Sequence, residues 1–137
     1  IAWGAMVADQ LILPYVYVRA KPKEHGTGKQ IEGYFEAKQK VVIVEDLIST
    51  GKSSLAVVDV VKKAGLEVMG MVSIFTYSFT HAAKAFDEAG VKLLSLTNYP
   101  ALIQLVLDKG MVERNVENIL LQWRENPGEW NGTLSSY

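Results

Sequence analysis

The chain has 137 residues, a length that suits a single domain with its own hydrophobic core. A formal net charge of −1 excludes a global basic field that would recruit nucleic acid. The absence of cysteine excludes disulfide bonds and thiol catalysis and fits a reducing compartment, so we expect a cytoplasmic protein. Charge or glycine interrupts each apolar run before it reaches membrane-spanning length, and we expect no membrane partner.

The N-terminal segment, residues 1–11, has the pattern of an amphipathic helix but no start methionine, helix cap or signal-peptide pattern. We therefore expect the chain to be a fragment that begins inside a helix. Residues 13–19 are predicted to form a strand, with Pro14 at its entrance, where a missing N–H does least harm.

The segment from residue 19 to residue 33, here named the cationic loop, combines positive charge with glycine. Its basic side chains include Arg19, Lys21, Lys23 and His25. Together they could meet a polyphosphate leaving group, and the glycines of the same segment would let it move. A solvated basic loop is the other explanation for such a run of charge. Residues 30–35 are predicted to return from the loop as a short strand.

The most informative stretch, residues 41–54, joins an apolar strand to a helix through two acids and a run of hydroxyls. Val41 to Val44 are continuously apolar, which is typical of a central parallel strand covered on both faces. Glu45 and Asp46 follow where such a strand ends, and in open α/β sheets ligands bind at the carboxyl ends of strands. Carboxylates accept hydrogen bonds from sugar hydroxyls and also suit a hydrated metal ion.

Residues 49–53, Ser-Thr-Gly-Lys-Ser, are here named the hydroxyl loop. They supply hydroxyl groups, a glycine that permits close backbone approach, and a helix N-terminus whose free N–H groups attract phosphate. The acid pair and the hydroxyl loop together predict a site for a phosphorylated sugar.

This stretch has two other interpretations. The end of the hydroxyl loop resembles a P-loop, but a P-loop needs glycine where Asp46 stands, and a carboxylate there would repel the phosphates. The acid pair could also serve only as partners of the dipole of the next helix. The complete order of strand, acid pair and hydroxyl loop favours the binding site.

The rest of the chain alternates helices with strands, which predicts an α/β fold with a central, mostly parallel sheet flanked by helices. The predicted helices are 53–64, 81–89, 99–109 and 112–123, and the predicted strands after the first are 41–44, 68–75 and 91–96. Pro127 and Gly128 end regular structure, so we expect one domain over residues 1–126 and a tail over 127–137.

Residues 41–54 resemble the phosphoribosyl-pyrophosphate signature of the type I phosphoribosyltransferases, and Glu-Asp-Leu-Ile-Ser-Thr-Gly at 45–51 is closest to the orotate phosphoribosyltransferases. The cationic loop resembles that family's mobile catalytic loop. In motif order the resemblance covers residues 1–126 and matches roughly the last two thirds of the family's chain. The family's upstream pyrophosphate-binding loop and the segment that covers the base are missing.

The resemblance implies transfer of ribose 5-phosphate from phosphoribosyl pyrophosphate to orotate, with Mg²⁺, giving orotidine 5′-monophosphate and pyrophosphate in pyrimidine biosynthesis. It implies catalytic roles for Lys23, His25 and Asp46, and it places Ser49 near orotate. The residues that it assigns to phosphoribosyl pyrophosphate are Arg19, Lys23, His25, Glu45, Asp46, Leu47, Ile48, Ser49, Thr50, Gly51, Lys52 and Ser53. It assigns no set of protein ligands to a metal.

The resemblance also implies a homodimer in which the cationic loop reaches the partner's site, and the fragment alone could be inactive. Two positions depart from the family's pattern. Many relatives carry lysine at position 20, where this chain has alanine, although Lys21 could substitute for it. An orotate-binding arginine is common where this chain has Tyr77, and tyrosine cannot form arginine's bidentate pair with a carboxylate.

Two rival functions remain from the sequence. A purine phosphoribosyltransferase would use the same phosphate site with another base pocket. A non-catalytic regulator that senses phosphoribosyl pyrophosphate could keep the phosphate site and lose the cationic loop. Retention of Lys23 and His25 in this chain favours an enzyme.

Overall fold

The structure is a computed structural model and describes residues 1–20 and 30–130. The helices in these ranges are α1 (Ala2–Leu11), α2 (Lys52–Lys63), α3 (Thr80–Glu88), α4 (Tyr99–Asp108) and α5 (Glu117–Glu125), with a 3-10 turn at Arg114–Val116. The strands are β1 (Tyr17–Val18), β2 (Ile31–Glu32), β3 (Lys40–Ile48), β4 (Glu67–Thr76) and β5 (Leu93–Asn98).

A three-stranded parallel sheet in the order β3-β4-β5 forms the centre of the fold. Val72 lies opposite Val44 on one side and Leu94 on the other. Helix α2 connects β3 to β4, and α3 connects β4 to β5, as parallel strands require a long crossover. Strands β1 and β2 form a separate antiparallel pair, with Val18 opposite Ile31. The predicted α/β class with a mostly parallel sheet is confirmed.

The main core lies between the sheet and helices α2 and α3. Its fully buried side chains come from both strands and helices and are Ile48, Val58, Met71, Phe86 and Val91. Helix α2 buries Ser54, Val58 and Val61, a spacing that keeps one helical face toward the sheet. Gly65 follows α2 with a φ of 86°, a left-handed conformation that favours glycine at the end of a helix.

Two smaller clusters attach the remaining elements to this core. Ile31, Val61 and Leu66 join the β1-β2 pair to the C-terminal half of α2, with Val16 and Val18 packed beside them. Tyr99, Ile103 and Leu107 on α4 pack against α5 and the end of β4 through Phe75, Tyr77, Leu120 and Trp123. The stem of the cationic loop and the C-terminal helix therefore both have defined positions.

Several predicted boundaries were wrong. Strand β3 continues to Ile48 instead of ending at Val44, because Leu47 and Ile48 pair with Phe75 and Thr76 of β4. Strand β5 begins at Leu93, since the N–H of Val91 still donates to the carbonyl of Phe86 over 3.0 Å. The strand predicted for residues 13–19 is only Tyr17–Val18, and the helix predicted for 112–123 begins at Glu117.

The position predicted for β3 was also wrong, because in the described part of the chain β3 is an edge strand and β4 is central. An apolar run shows that both faces of a strand are apolar, but it does not give the strand order. The second face of the sheet is open: Val42 is 55% exposed, Leu94 57% and Leu96 85%. Parallel sheets are usually covered on both faces.

Candidate functional site

The end of β3 brings the two predicted acids to the carboxyl edge of the sheet. Glu45 lies opposite Ser73 and is half-buried, whereas Asp46 is exposed. Successive side chains of a strand alternate between its faces, so the two carboxylates leave the backbone in different directions. Asp46 is therefore the acid that is more accessible to a ligand from solvent.

The hydroxyl loop follows directly and turns the chain from β3 into α2. Thr50 is exposed, and its Oγ1 accepts a long hydrogen bond of 3.5 Å from the N–H of Lys52. Gly51 is the N-cap of α2, is buried, and has a φ of 79°. Only glycine adopts this left-handed conformation without strain, which explains the glycine at this turn.

The N-terminus of α2 has the features of an anion site. Its N-cap is a glycine with no side-chain oxygen, and its first residues, Lys-Ser-Ser-Leu at 52–55, include no acid. The first N–H groups of a helix lack partners within the helix, and the helix dipole adds positive potential there. A phosphate group accepts hydrogen bonds from such N–H groups and is attracted by the positive potential of the helix N-terminus. This is the basis of the prediction that residues 49–53 bind phosphate.

Arg19 lies at the base of the cationic loop and is held there on both sides. Its backbone N–H donates to the carbonyl of Gln30 over 2.9 Å, and Nε2 of Gln30 donates to the carbonyl of Arg19 over 2.8 Å. Its guanidinium Nη1 lies 3.3 Å from Oε1 of Glu32, with 41% of the arginine side chain exposed. An ion pair this exposed contributes only about 0.2–1 kcal/mol, so a phosphate ligand can replace Glu32 as the partner.

The structure separates the stem of the cationic loop from the hydroxyl loop within one chain. The stem shares a core cluster with Val60 and Val61 in the C-terminal half of α2, whereas the hydroxyl loop lies at the N-terminus of that helix. The helix has 12 residues and is therefore about 18 Å long. Lys23 and His25, the predicted catalytic residues of the loop, lie outside the described residues.

The acid pair, Glu45 and Asp46, has the oxygen donors that a metal ion could use. Among the described residues, no group of three or more histidine, aspartate or glutamate side chains could hold a metal ion. Mg²⁺ is commonly bound through one or two carboxylates together with substrate phosphates. Glu45 and Asp46 supply that donor chemistry next to the predicted phosphate site, so the residues fit an ion that the substrate brings.

An aromatic cluster at the end of β4 is a feature that the sequence did not reveal. The ring of Tyr77 stacks on Phe79, with centroids 5.3 Å apart and an angle of 8°, and meets Trp123 edge-on at 5.6 Å. Burial raises the pKa of Tyr99, Tyr77 raises it further, and Arg124 lowers it. A shallow cavity of about 330 Å³ beside the cluster is lined by Tyr77, Tyr99, Ile119, Leu120, Trp123 and Trp130.

Comparison with known proteins identifies the family of the chain. The family profile described as "Phosphoribosyl transferase domain" matches residues 1–102, which include both the cationic loop and the hydroxyl loop. The chain belongs to the phosphoribosyltransferase family. The acid pair and hydroxyl loop at the sheet edge thus lie within the matched part of the chain.

Individual relatives of this chain carry a more specific name. It is 48% identical over 127 residues to the orotate phosphoribosyltransferase of Phocaeicola vulgatus, covering 93% of this chain and 60% of the relative. It is 48% identical to the orotate phosphoribosyltransferase of Listeria monocytogenes, covering 93% of this chain and 61% of that relative. The chain therefore spans about 60% of the length of the curated relatives it matches.

A solved structure agrees with these sequence relatives. The crystal structure of orotate phosphoribosyltransferase from Aeropyrum pernix superimposes with a TM-score of 0.64 at 26% identity. The superposition covers 82% of this chain and 60% of that one. No helix in residues 1–20 and 30–130 has the length and apolar character needed to cross a membrane.

Proposed function

We propose that the protein transfers ribose 5-phosphate from phosphoribosyl pyrophosphate to orotate, giving orotidine 5′-monophosphate and pyrophosphate in pyrimidine biosynthesis. The observation that carries this proposal is 48% identity to orotate phosphoribosyltransferases over 93% of the chain, including the acid pair and the hydroxyl loop. The geometry of the sheet edge supports it, because a sugar diol and a phosphate can be held by adjacent residues there.

The sugar phosphate is bound at the end of β3. Asp46 and Glu45 accept hydrogen bonds from the ribose hydroxyls, and the backbone N–H groups and hydroxyls of residues 49–53 bind the 5-phosphate. As pyrophosphate departs, positive charge develops at the anomeric carbon. The carboxylate of Asp46 stabilises that charge, and its placement before the reaction avoids the cost of reorganising solvent.

The leaving group is bound by the cationic loop. Arg19, Lys23 and His25 close on the pyrophosphate and neutralise the charge that it gains, with Lys23 and His25 in the catalytic role. Bound Mg²⁺, held through the substrate and the carboxylates of Glu45 and Asp46, would stabilise the same oxygens. Arg19 binds pyrophosphate when a phosphate oxygen replaces Glu32 as its partner. The ion pair with Glu32 is exposed, so breaking it costs little free energy.

Orotate lies beyond the end of β3, next to Ser49. Tyr77, at the position where relatives often have an orotate-binding arginine, keeps its ring in the aromatic cluster with Phe79 and Trp123. The carboxylate of orotate therefore takes its partner from another residue of the complete protein.

The working unit is a cytoplasmic homodimer in which the cationic loop of one chain serves the site of the other. The position of the loop stem on the C-terminal half of α2 supports this arrangement, because the hydroxyl loop of the same chain is at the opposite end of that helix. The absence of cysteine fits the reducing cytoplasm.

Base selectivity tests the proposed reaction. The complete protein is purified and incubated with phosphoribosyl pyrophosphate and Mg²⁺ and with orotate, adenine, guanine or hypoxanthine, and nucleotide and pyrophosphate are quantified by chromatography. The proposal expects orotidine 5′-monophosphate and pyrophosphate in equal amounts from orotate alone. Conversion of a purine base would establish the purine enzyme instead, and tight substrate binding without turnover would establish the sensor.

A further inference from the structure

Gly51 of the hydroxyl loop lies next to an aromatic ring from a different helix. A Cβ atom added at Gly51 would lie 2.9 Å from Cε2 of Phe86 and 3.4 Å from its Cδ2. The shorter of these distances is below ordinary contact, so the ring edge of Phe86 lies directly against the backbone turn that begins α2.

The ring of Phe86 is held from the other sides by the main core. Phe86 is only 2% exposed and shares a core cluster with Ile48, at the end of β3, and Val58, on α2. It therefore lies in the same packed core as both elements that the hydroxyl loop connects, and it borders the turn between them. Close-packed side chains of this kind transmit displacement instead of absorbing it.

We infer that Phe86 is a positioning residue for phosphate binding, because it fixes the left-handed turn at Gly51 and so the N–H groups at the start of α2. The inference rests on the proposed role of the hydroxyl loop in binding the 5-phosphate. The ring prevents the turn from moving toward the core, and the absence of a side chain at Gly51 allows the ring to approach. The two residues therefore act as one unit, although they lie on different elements.

A double-mutant cycle tests the inference. Phe86→Leu removes the ring edge but keeps an apolar side chain, and Gly51→Ala adds the Cβ that the ring excludes. Each single variant, the double variant and the wild-type chain are titrated with ribose 5-phosphate by calorimetry. Val91→Ala is the matched control, since Val91 belongs to the same core cluster but lies before β5, at the other end of the sheet from the hydroxyl loop.

Phe86→Leu should weaken ribose 5-phosphate binding by about tenfold, less than the hundredfold that a misplacement of about 1 Å can cost. Val91→Ala should leave affinity within about twofold while lowering the melting temperature comparably. Gly51→Ala should weaken binding less in the Phe86→Leu background than in the wild type. The effects of substitutions at two residues in contact on the binding free energy are not additive. In the complete enzyme the KM for phosphoribosyl pyrophosphate should rise in Phe86→Leu with kcat nearly unchanged.

Hydrogen exchange provides a readout that does not depend on any ligand. The amides of residues 51–54 should exchange faster in Phe86→Leu than in Val91→Ala when the two variants have equal stability. Wild-type affinity in Phe86→Leu, or additive effects in the cycle, would overturn the inference. If the cycle shows coupling but the enzyme converts no orotate, only the proposed reaction fails. If the wild-type chain does not bind ribose 5-phosphate, both fail.

Discussion

The backbone N–H of Tyr77 donates to the carbonyl of Ile48 over 3.0 Å, which fixes the first residue after β4 to the last residue of β3. Ser49, the start of the hydroxyl loop, is the next residue along the chain. The main chain of Tyr77 thus borders the site, while its ring packs with Phe79, Tyr99 and Trp123. This relationship connects the C-terminal helix α5 to the edge of the sheet where we propose that the substrate binds.

Removal of the indole of Trp123 should destabilise the fold through this connection. Trp123→Leu deletes the contacts of one ring with Tyr77, Phe79 and Tyr99, and we expect a loss of about 2 kcal/mol in the free energy of unfolding. Urea unfolding followed by circular dichroism measures this loss. Trp3→Leu on α1 is the control, because Trp3 is 50% exposed and its replacement should change stability by less than about 0.5 kcal/mol. Equal losses in both variants would contradict the role of the cluster.

The competition between Glu32 and phosphate for Arg19 should be visible in binding. Glu32→Gln keeps the shape of the side chain but removes its charge, so Arg19 becomes more available to pyrophosphate oxygens. We expect the KM for phosphoribosyl pyrophosphate to fall by up to about threefold, with a stability change under about 1 kcal/mol. Arg19→Ala should raise the same KM. A rise of KM in both variants would mean that the ion pair holds the arginine in its binding position.

The candidate site could be proposed from sequence because its residues are local. The acid pair, the hydroxyl loop and the start of α2 are consecutive residues, and their order alone indicates a strand that ends at a phosphate site. The end of β3 was placed too early, since its extension depends on the pairing of Leu47 and Ile48 with β4. Strand order is likewise a long-range property, which explains why β3 was predicted to be central.

Contacts between distant segments account for the other features that sequence reasoning missed. The pairing of Arg19 with Glu32 depends on the register of β1 and β2, and the contact of Phe86 with Gly51 depends on how α3 packs on the sheet. Phe86 has the helical spacing of a core residue, and that pattern identifies a buried face without identifying its neighbours. The sequence shows that position 77 lacks an arginine, but it does not show that the ring of Tyr77 packs against Trp123.

Mixed dimers test whether the cationic loop serves the partner's site. One chain of the complete enzyme carries Lys23→Ala and the other carries Asp46→Asn, with different tags so that heterodimers can be purified. If the loop acts across the interface, one site collects both defects and the other collects neither. We therefore expect heterodimers to recover activity that each mutant homodimer lacks. Inactive heterodimers that are shown to be folded would indicate that the loop and the acid pair act in the same chain's site.

The central claim is that the phosphoribosyl group is transferred at the carboxyl edge of β3. The turnover number of Asp46→Asn tests this claim most directly. The change removes the negative charge next to the developing cation while it keeps the size of the side chain. Asp59→Asn, at an exposed position of α2, is the matched control for loss of one carboxylate. We expect Asp46→Asn to lower kcat by about a hundredfold or more, equivalent to about 3 kcal/mol, and Asp59→Asn to leave it within about twofold. Unchanged kcat and KM in folded Asp46→Asn would contradict the placement of the reaction at this edge.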